Sequence, residues 1–145
     1  MVDSLGAGRN IEALRRLAAS FPATRKFAFN ADVRELGAEP IPEPAGDTYM
    51  APAFRLLRES GVSHAVVITD GLPTDHESGI LVAARGLRLD IFYVGPPPGP
   101  PFLARLARAT GGSIGVTQLS AQQQPALAQQ VRRLLAAGGP GIDHD

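Results

Sequence analysis

A chain of 145 residues, 44% hydrophobic and 19% charged, has the size and balance of one folded domain rather than of a disordered polyampholyte. It has no cysteine, which excludes disulfides, thiolate nucleophiles and cysteine-based zinc sites, and no run nears the roughly 18 apolar residues of a membrane-spanning helix. Fourteen basic and 14 acidic side chains cancel to a formal charge of zero, which speaks against a nucleic-acid binder.

The chain opens on a glycine-rich stretch, Met1 to Asn10, whose apolar residues are interrupted by Asp3 and Arg9. That pattern carries no hydrophobic block of the signal-peptide kind, and a cytoplasmic location is expected. Ile11, Leu14, Leu17 and Ala18 fall on one helical stripe and predict a helix over roughly 11–20, with Asn10 as its N-cap and Pro22 beyond its end. Lys26–Asn30 reads as a strand, and the alternation in Asp32–Leu36 predicts a short edge strand joined to it by a tight connection. Gly37–Gly46 holds Pro40, Pro42 and Pro44 and predicts a stiffened loop.

Ala53, Phe54 and Leu57 predict a short helix over Ala51–Glu59, closed by Gly61. The β-branched run Ala65–Asp70 predicts a strand covered on both faces, as in the middle of a parallel sheet. A helix over Gly79–Arg88, a strand over Leu89–Val94, a helix over Phe102–Thr110, a weak strand over Ser113–Thr117 and a helix over Pro125–Ala137 complete the series. Strict alternation of helix and strand from residue 50 onward argues for an α/β three-layer sandwich with a mostly parallel sheet. One domain is expected over 1–137, followed by a flexible tail over 138–145.

The neutral total conceals a division. Residues 30–78 hold nine acidic side chains and three arginines, whereas residues 79–133 hold six arginines and one aspartate. An acidic face and a basic face are one expectation from this split, and chance segregation along a folded chain is the other.

In an open parallel sheet, ligands bind at the carboxyl ends of the strands. Asp70 ends the most apolar strand and is followed by Gly71, with Asp75, His76 and Glu77 close behind. A carboxylate held there suits a hard divalent cation, though Asp70 could equally cap the turn that follows it. Asp47 or Thr48 could cap the helix at residue 51, and the Thr48 hydroxyl could instead turn toward an ion near Asp70. His64, just ahead of its strand, is expected at the surface or at a boundary. The spacing of Asp3–Gly8 is not that of a phosphate-binding loop and the lysine is missing, which disfavours nucleotide binding.

Taken together, several motifs resemble the von Willebrand factor type A family. They are Asp70-Gly71 after an apolar strand, Gly46-x-Thr48 before a helix, a strand hairpin ending at Leu36, Tyr93-Val94-Gly95, and Ala109-Thr110-Gly111-Gly112. The resemblance spans nearly the whole chain. It implies a Rossmann-like sheet with one antiparallel edge strand. It also implies an adhesion-type site for Mg²⁺, or for Mn²⁺ or Ca²⁺, that takes a carboxylate from a partner protein. On that pattern Thr48 and Asp70 are metal ligands, Asp3 and Ser4 belong to the first loop, and Asp47, Asp75, His76 and Glu77 are accessory candidates.

The first loop departs from the family's Asp-x-Ser-x-Ser, because Leu5 and Ala7 stand where the two serines belong. Met1–Val2 is also short for a central strand. Three explanations follow: a degenerate ion site, a first strand missing from this chain, or a sheet completed by another copy. The expected function is a non-catalytic protein-interaction module, with self-association an option and neither nucleic acid nor membrane as a partner. Two alternatives stand beside it. One is a metal-dependent hydrolase or phosphatase using Asp70 with Asp75 or Glu77, and the other is a structural subunit with no ion site.

Overall fold

The computed structural model describes residues 15–21, 24–29, 33–36, 49–69, 73–95, 98–117 and 124–137. In chain order the elements are α1 (helical residues 15–19), β1 (Lys26–Phe29), β2 (Val33–Leu36), α2 (Met50–Glu59), β3 (His64–Thr69), α3 (Glu77–Ala83), β4 (Arg88–Val94), α4 (Pro101–Ala109), β5 (Ile114–Thr117) and α5 (Gln124–Ala137). The three apolar runs after residue 60 form a parallel sheet in the order β3-β4-β5. Its register sets His64 beside Arg88 and Thr69 beside Tyr93, then Ile91 beside Ile114 and Val94 beside Thr117. The antiparallel strand expected at the edge is β2, which pairs with β1 from Lys26↔Leu36 to Phe29↔Val33 as a separate two-stranded ribbon.

Successive side chains of a strand point to opposite faces, so β4 feeds two cores. Leu89 and Ile91 pack with Met50, Phe54 and Leu57 of α2, Ile80 of α3, and Phe102, Leu103 and Leu106 of α4. Phe92 joins Leu17 of α1 and Leu127 and Val131 of α5 on the other face, with Val66 and Ile68 against them. Helices therefore cover both faces of the sheet, giving the expected three-layer α/β sandwich. Phe27, Phe29 and Val33 bring the ribbon onto the first core. Arg25 fastens it there: the guanidinium donates to both Glu35 oxygens at 2.7 and 2.8 Å and to the Ser60 carbonyl at 2.9 Å.

The Thr-Gly-Gly turn has a physical reason for each residue. The Thr110 hydroxyl donates to the Ala107 carbonyl (2.9 Å) and accepts the Leu89 amide (3.1 Å), which ties the end of α4 to the start of β4. Gly111 adopts a positive φ of 78°. A Cβ at Gly112 would stand 1.8 Å from the Leu89 carbonyl oxygen, so only glycine lets the chain pass.

Helix α3 is shorter than the pattern over 79–88 predicts. It ends at Ala83, and the chain turns through Gly86 at φ +85° so that β4 begins at Arg88. Glycine with a left-handed backbone stops the helix where the apolar stripe alone gave no stop signal. No helix among the described residues is long and apolar enough to cross a membrane. The tail expected over 138–145 lies outside the described residues.

Candidate functional site

Each helix of the α/β part runs back against the strands. The N-termini of α2, α3 and α4 therefore gather at the rim where β3, β4 and β5 end. Of the residues singled out for this rim, Asp75, His76 and Glu77 are described, whereas Asp3, Ser4, Asp47, Thr48 and Asp70 lie outside the described residues. Chain connection puts Thr48 two residues before Met50, the first residue of α2, and Asp70 directly after Thr69, the last residue of β3.

Asp75 links these two segments. Its Oδ2 accepts the Ala51 amide at 2.8 Å and its Oδ1 accepts the Met50 amide at 3.2 Å. Helix α2 has no side-chain cap of its own at Tyr49, so a carboxylate from the segment after β3 satisfies two of its orphan amides and favours its positive end. Asp47 and Thr48, the anticipated caps, lie outside the described residues; Asp75 caps the helix from 24 residues away. Met50, the first residue of α2, is wholly buried in the first core.

Glu77 opens α3 and accepts a hydrogen bond from Arg105 of α4 at 2.8 Å, while the Arg105 guanidinium lies over the Phe102 ring at 5.8 Å. His76 supplies the backbone N-cap of α3, its carbonyl accepting the Ile80 amide at 3.1 Å. Asp75 and Glu77 thus point their carboxylates to different neighbours, one to α2 and one to α4. No group of three or more His, Asp or Glu side chains that could hold a metal ion occurs among the described residues.

Gly95 and Gly99, which follow β4, approach Tyr93 closely. A Cβ on Gly95 would lie 2.6 Å from the Tyr93 hydroxyl, and one on Gly99, at φ +81°, would lie 2.8 Å from Cδ2 of the same ring. Pro100 is the N-cap of α4 and Pro101 its first residue. Gly99, with its left-handed backbone, leads directly into Pro100 and Pro101 at the start of α4.

At the opposite end of the sheet lies a polar cluster that the sequence reading missed. His64, expected at the surface or a boundary, is 7% exposed and is the first residue of β3. Its Nε2 donates to Oδ2 of Asp90, which is wholly buried, at 2.6 Å. The other Asp90 oxygen accepts both the Ser113 amide (2.9 Å) and the Ser113 hydroxyl (2.8 Å), and Arg88 Nε lies 3.5 Å from Oδ2. Burial works to raise the Asp90 carboxyl, but the hydrogen bonds from His64 and Ser113, with the charge of Arg88, outweigh it and hold the group below its ordinary value. Serine and histidine both bond the aspartate, so the cluster lacks the serine–histidine contact of a nucleophilic triad. It clasps the starts of three strands. A lone aspartate inside the apolar run Leu89–Val94 was the available signal, since a buried carboxylate requires donors.

No family model and no curated protein matches the chain. Among solved structures, the chain is similar to a von Willebrand factor type A protein from Catenulispora acidiphila, at 16% identity and a TM-score of 0.65 over 93% of this chain. It is also similar to the conserved hypothetical protein BatB from Bacteroides thetaiotaomicron, at 16% identity and a TM-score of 0.55, covering 90% of this chain and 88% of that one. The chain spans 39% of the length of the Catenulispora protein. These likenesses show the fold to be von Willebrand factor type A-like.

Proposed function

From a von Willebrand factor type A-like fold as premise, we propose that the chain is a non-catalytic protein-interaction module whose binding surface is the rim at the carboxyl ends of the strands. The observation that carries this reading is the Asp75 clasp. It joins the start of α2, two residues from Thr48, to the segment that follows β3 and begins with Asp70. Thr48 and Asp70, with Asp3 and Ser4, offer the hard oxygen donors that Mg²⁺, Mn²⁺ or Ca²⁺ prefer, while Leu5 and Ala7 offer none. A bound cation would supply an open coordination position for a carboxylate oxygen of a partner protein. The cytoplasm is the compartment in which we place it.

The hydrolase alternative is less well supported. It needs Asp75 or Glu77 free to act on a water or a substrate, yet Asp75 holds two backbone amides and Glu77 holds Arg105.

Calorimetric titration with Mg²⁺ and Mn²⁺ of the wild type, Thr48→Ala and Asp70→Ala tests the ion-dependent form. The expected result is saturable binding by the wild type that both substitutions weaken at least about tenfold, the loss of one oxygen ligand in a small set. Absence of binding by the wild type at about 10 mM ion would leave the structural-subunit reading in its place.

A further inference from the structure

We propose that the outer edge of β5 is a strand-addition site for an extended, acidic segment of a partner protein, separate from the rim. The ladder between β4 and β5 fixes which backbone groups face outward. The Ser113 carbonyl accepts the Ile91 amide at 2.8 Å and the Thr117 carbonyl accepts the Gly95 amide at 3.2 Å. With the period of two in a parallel strand, residues 113, 115 and 117 turn their backbone groups to β4, and Ile114 and Val116 turn theirs to the open edge. No described strand pairs with that edge.

The side chains at the same two positions are also uncovered: Ile114 is 39% exposed and Val116 43%. They lie beside Ile91 and Tyr93 in register, hence on the sheet face that α4 covers, while Gly115 lies beside Phe92 on the other. Natural edge strands are blunted by shortness, a lysine, a proline or an inward charge; Ile114–Thr117 is four residues long and has no lysine, proline or charge.

Charge selects the partner. From residue 79 to 137 the only acidic side chain is Asp90, which is wholly buried, so the exposed charge of this stretch is entirely arginine. Of the arginines exposed on α4, the helix packed beside β5, Arg105 is paired with Glu77, whereas Arg108 makes no ion pair among the described residues. A second copy pairing its β5 across this edge would bring like-charged α4 helices together, whereas an acidic strand meets complementary charge. The segment that fits carries apolar residues at alternate positions to lie along Ile114 and Val116 and acidic residues at its end to meet Arg108.

The test uses the 145-residue chain and a fluorescein-labelled peptide with valine at alternate central positions and aspartates at both ends, followed by anisotropy. Val116→Pro removes an outward amide that β4 does not use, and the preceding Gly115 tolerates the proline. The expected result is saturable binding that Val116→Pro and Arg108→Glu each weaken roughly tenfold, with an unchanged far-ultraviolet spectrum. A peptide with lysine in place of aspartate should bind at least about tenfold more weakly, and added salt should weaken the aspartate peptide. Equal binding of both peptides overturns the proposal, as does no binding at about 1 mM. A wild-type dimer in sedimentation that Val116→Pro dissociates also overturns it, since the edge then belongs to a second copy. Arg108→Glu, remote from the ladder, provides the reading if Val116→Pro fails to fold.

Discussion

The carboxylate of Asp75 and the amide of Ala51 are joined by a 2.8 Å hydrogen bond across 24 residues of sequence, and the neighbouring Met50 amide shares the same carboxylate. Asp75→Ala leaves both amides at the start of α2 without this acceptor. It should lower stability by about 1–2 kcal/mol, the usual cost of a lost helix cap. Asp75→Asn keeps one acceptor oxygen and should lose less. Urea denaturation of the three proteins measures both, and no difference between Asp75→Ala and wild type would show that the clasp does not hold the helix.

Asp90 makes acid stability depend on one buried carboxylate. Its folded pKa lies below that of the unfolded chain, which is about 3.9, so the unfolded state binds more protons in that interval and stability rises with pH there. The contribution is complete above the unfolded value and disappears as the pH falls through the lower, folded one. Asp90→Asn should remove this part of the acid slope in denaturation curves below about pH 4. At neutral pH the same substitution should cost about 1–3 kcal/mol, because it disrupts a buried hydrogen-bonded carboxylate.

Two glycines separate crowding from backbone strain. Gly112→Ala sets a methyl group against the Leu89 carbonyl, 1.8 Å from the ideal Cβ position, and the turn must open to admit it. Gly61, at φ +83°, has nothing within 4 Å of its Cβ position, so alanine there meets only the conformational cost. Thermal denaturation should show a loss of about 1 kcal/mol for Gly61→Ala and more than about 3 kcal/mol for Gly112→Ala. Similar losses would mean that the Thr-Gly-Gly turn yields readily.

Fully buried Phe54 of α2 offers a measure of the first core. Phe54→Ala should cost about 3–5 kcal/mol in chemical denaturation, the usual range for an aromatic side chain removed from a packed interior. A loss under about 1 kcal/mol would indicate a core that collapses around the gap.

The sequence disclosed the elements with strong periodicity. The run around Val67 read as a strand covered on both faces and that around Ile91 as the next strand, and Phe54 and Leu57 marked the inner face of α2. Contacts between distant residues left no such trace. Nothing near Met50 indicates that Asp75 caps its helix, because the bond depends on how two loops meet. The His64–Asp90–Ser113 cluster was hidden for a related reason: a polar residue at the start of a strand looks exposed until the strand beside it is known. The short α3 turned on Gly86, whose left-handed backbone outweighs the apolar pattern around it. At the candidate ion site, Asp75, His76 and Glu77 acquire definite neighbours, while Thr48, Asp70, Asp3, Ser4 and Asp47 rest on sequence.

Strands β3, β4 and β5 are neighbours in the sheet in the same order as along the chain, with α3 and α4 between them. Helices α1 and α5, by contrast, come from opposite ends of the sequence and meet the other face of that sheet through Leu17, Phe92 and Leu127. A ribosome delivers the segment from β3 to β5 as one block of sequential contacts, which is the kind that closes fastest. The second face has only α1 against it until α5 has been made. For that interval Phe92, Val66 and Ile68 lack the cover of Leu127 and Val131, and a truncation before residue 124 would make that exposure permanent.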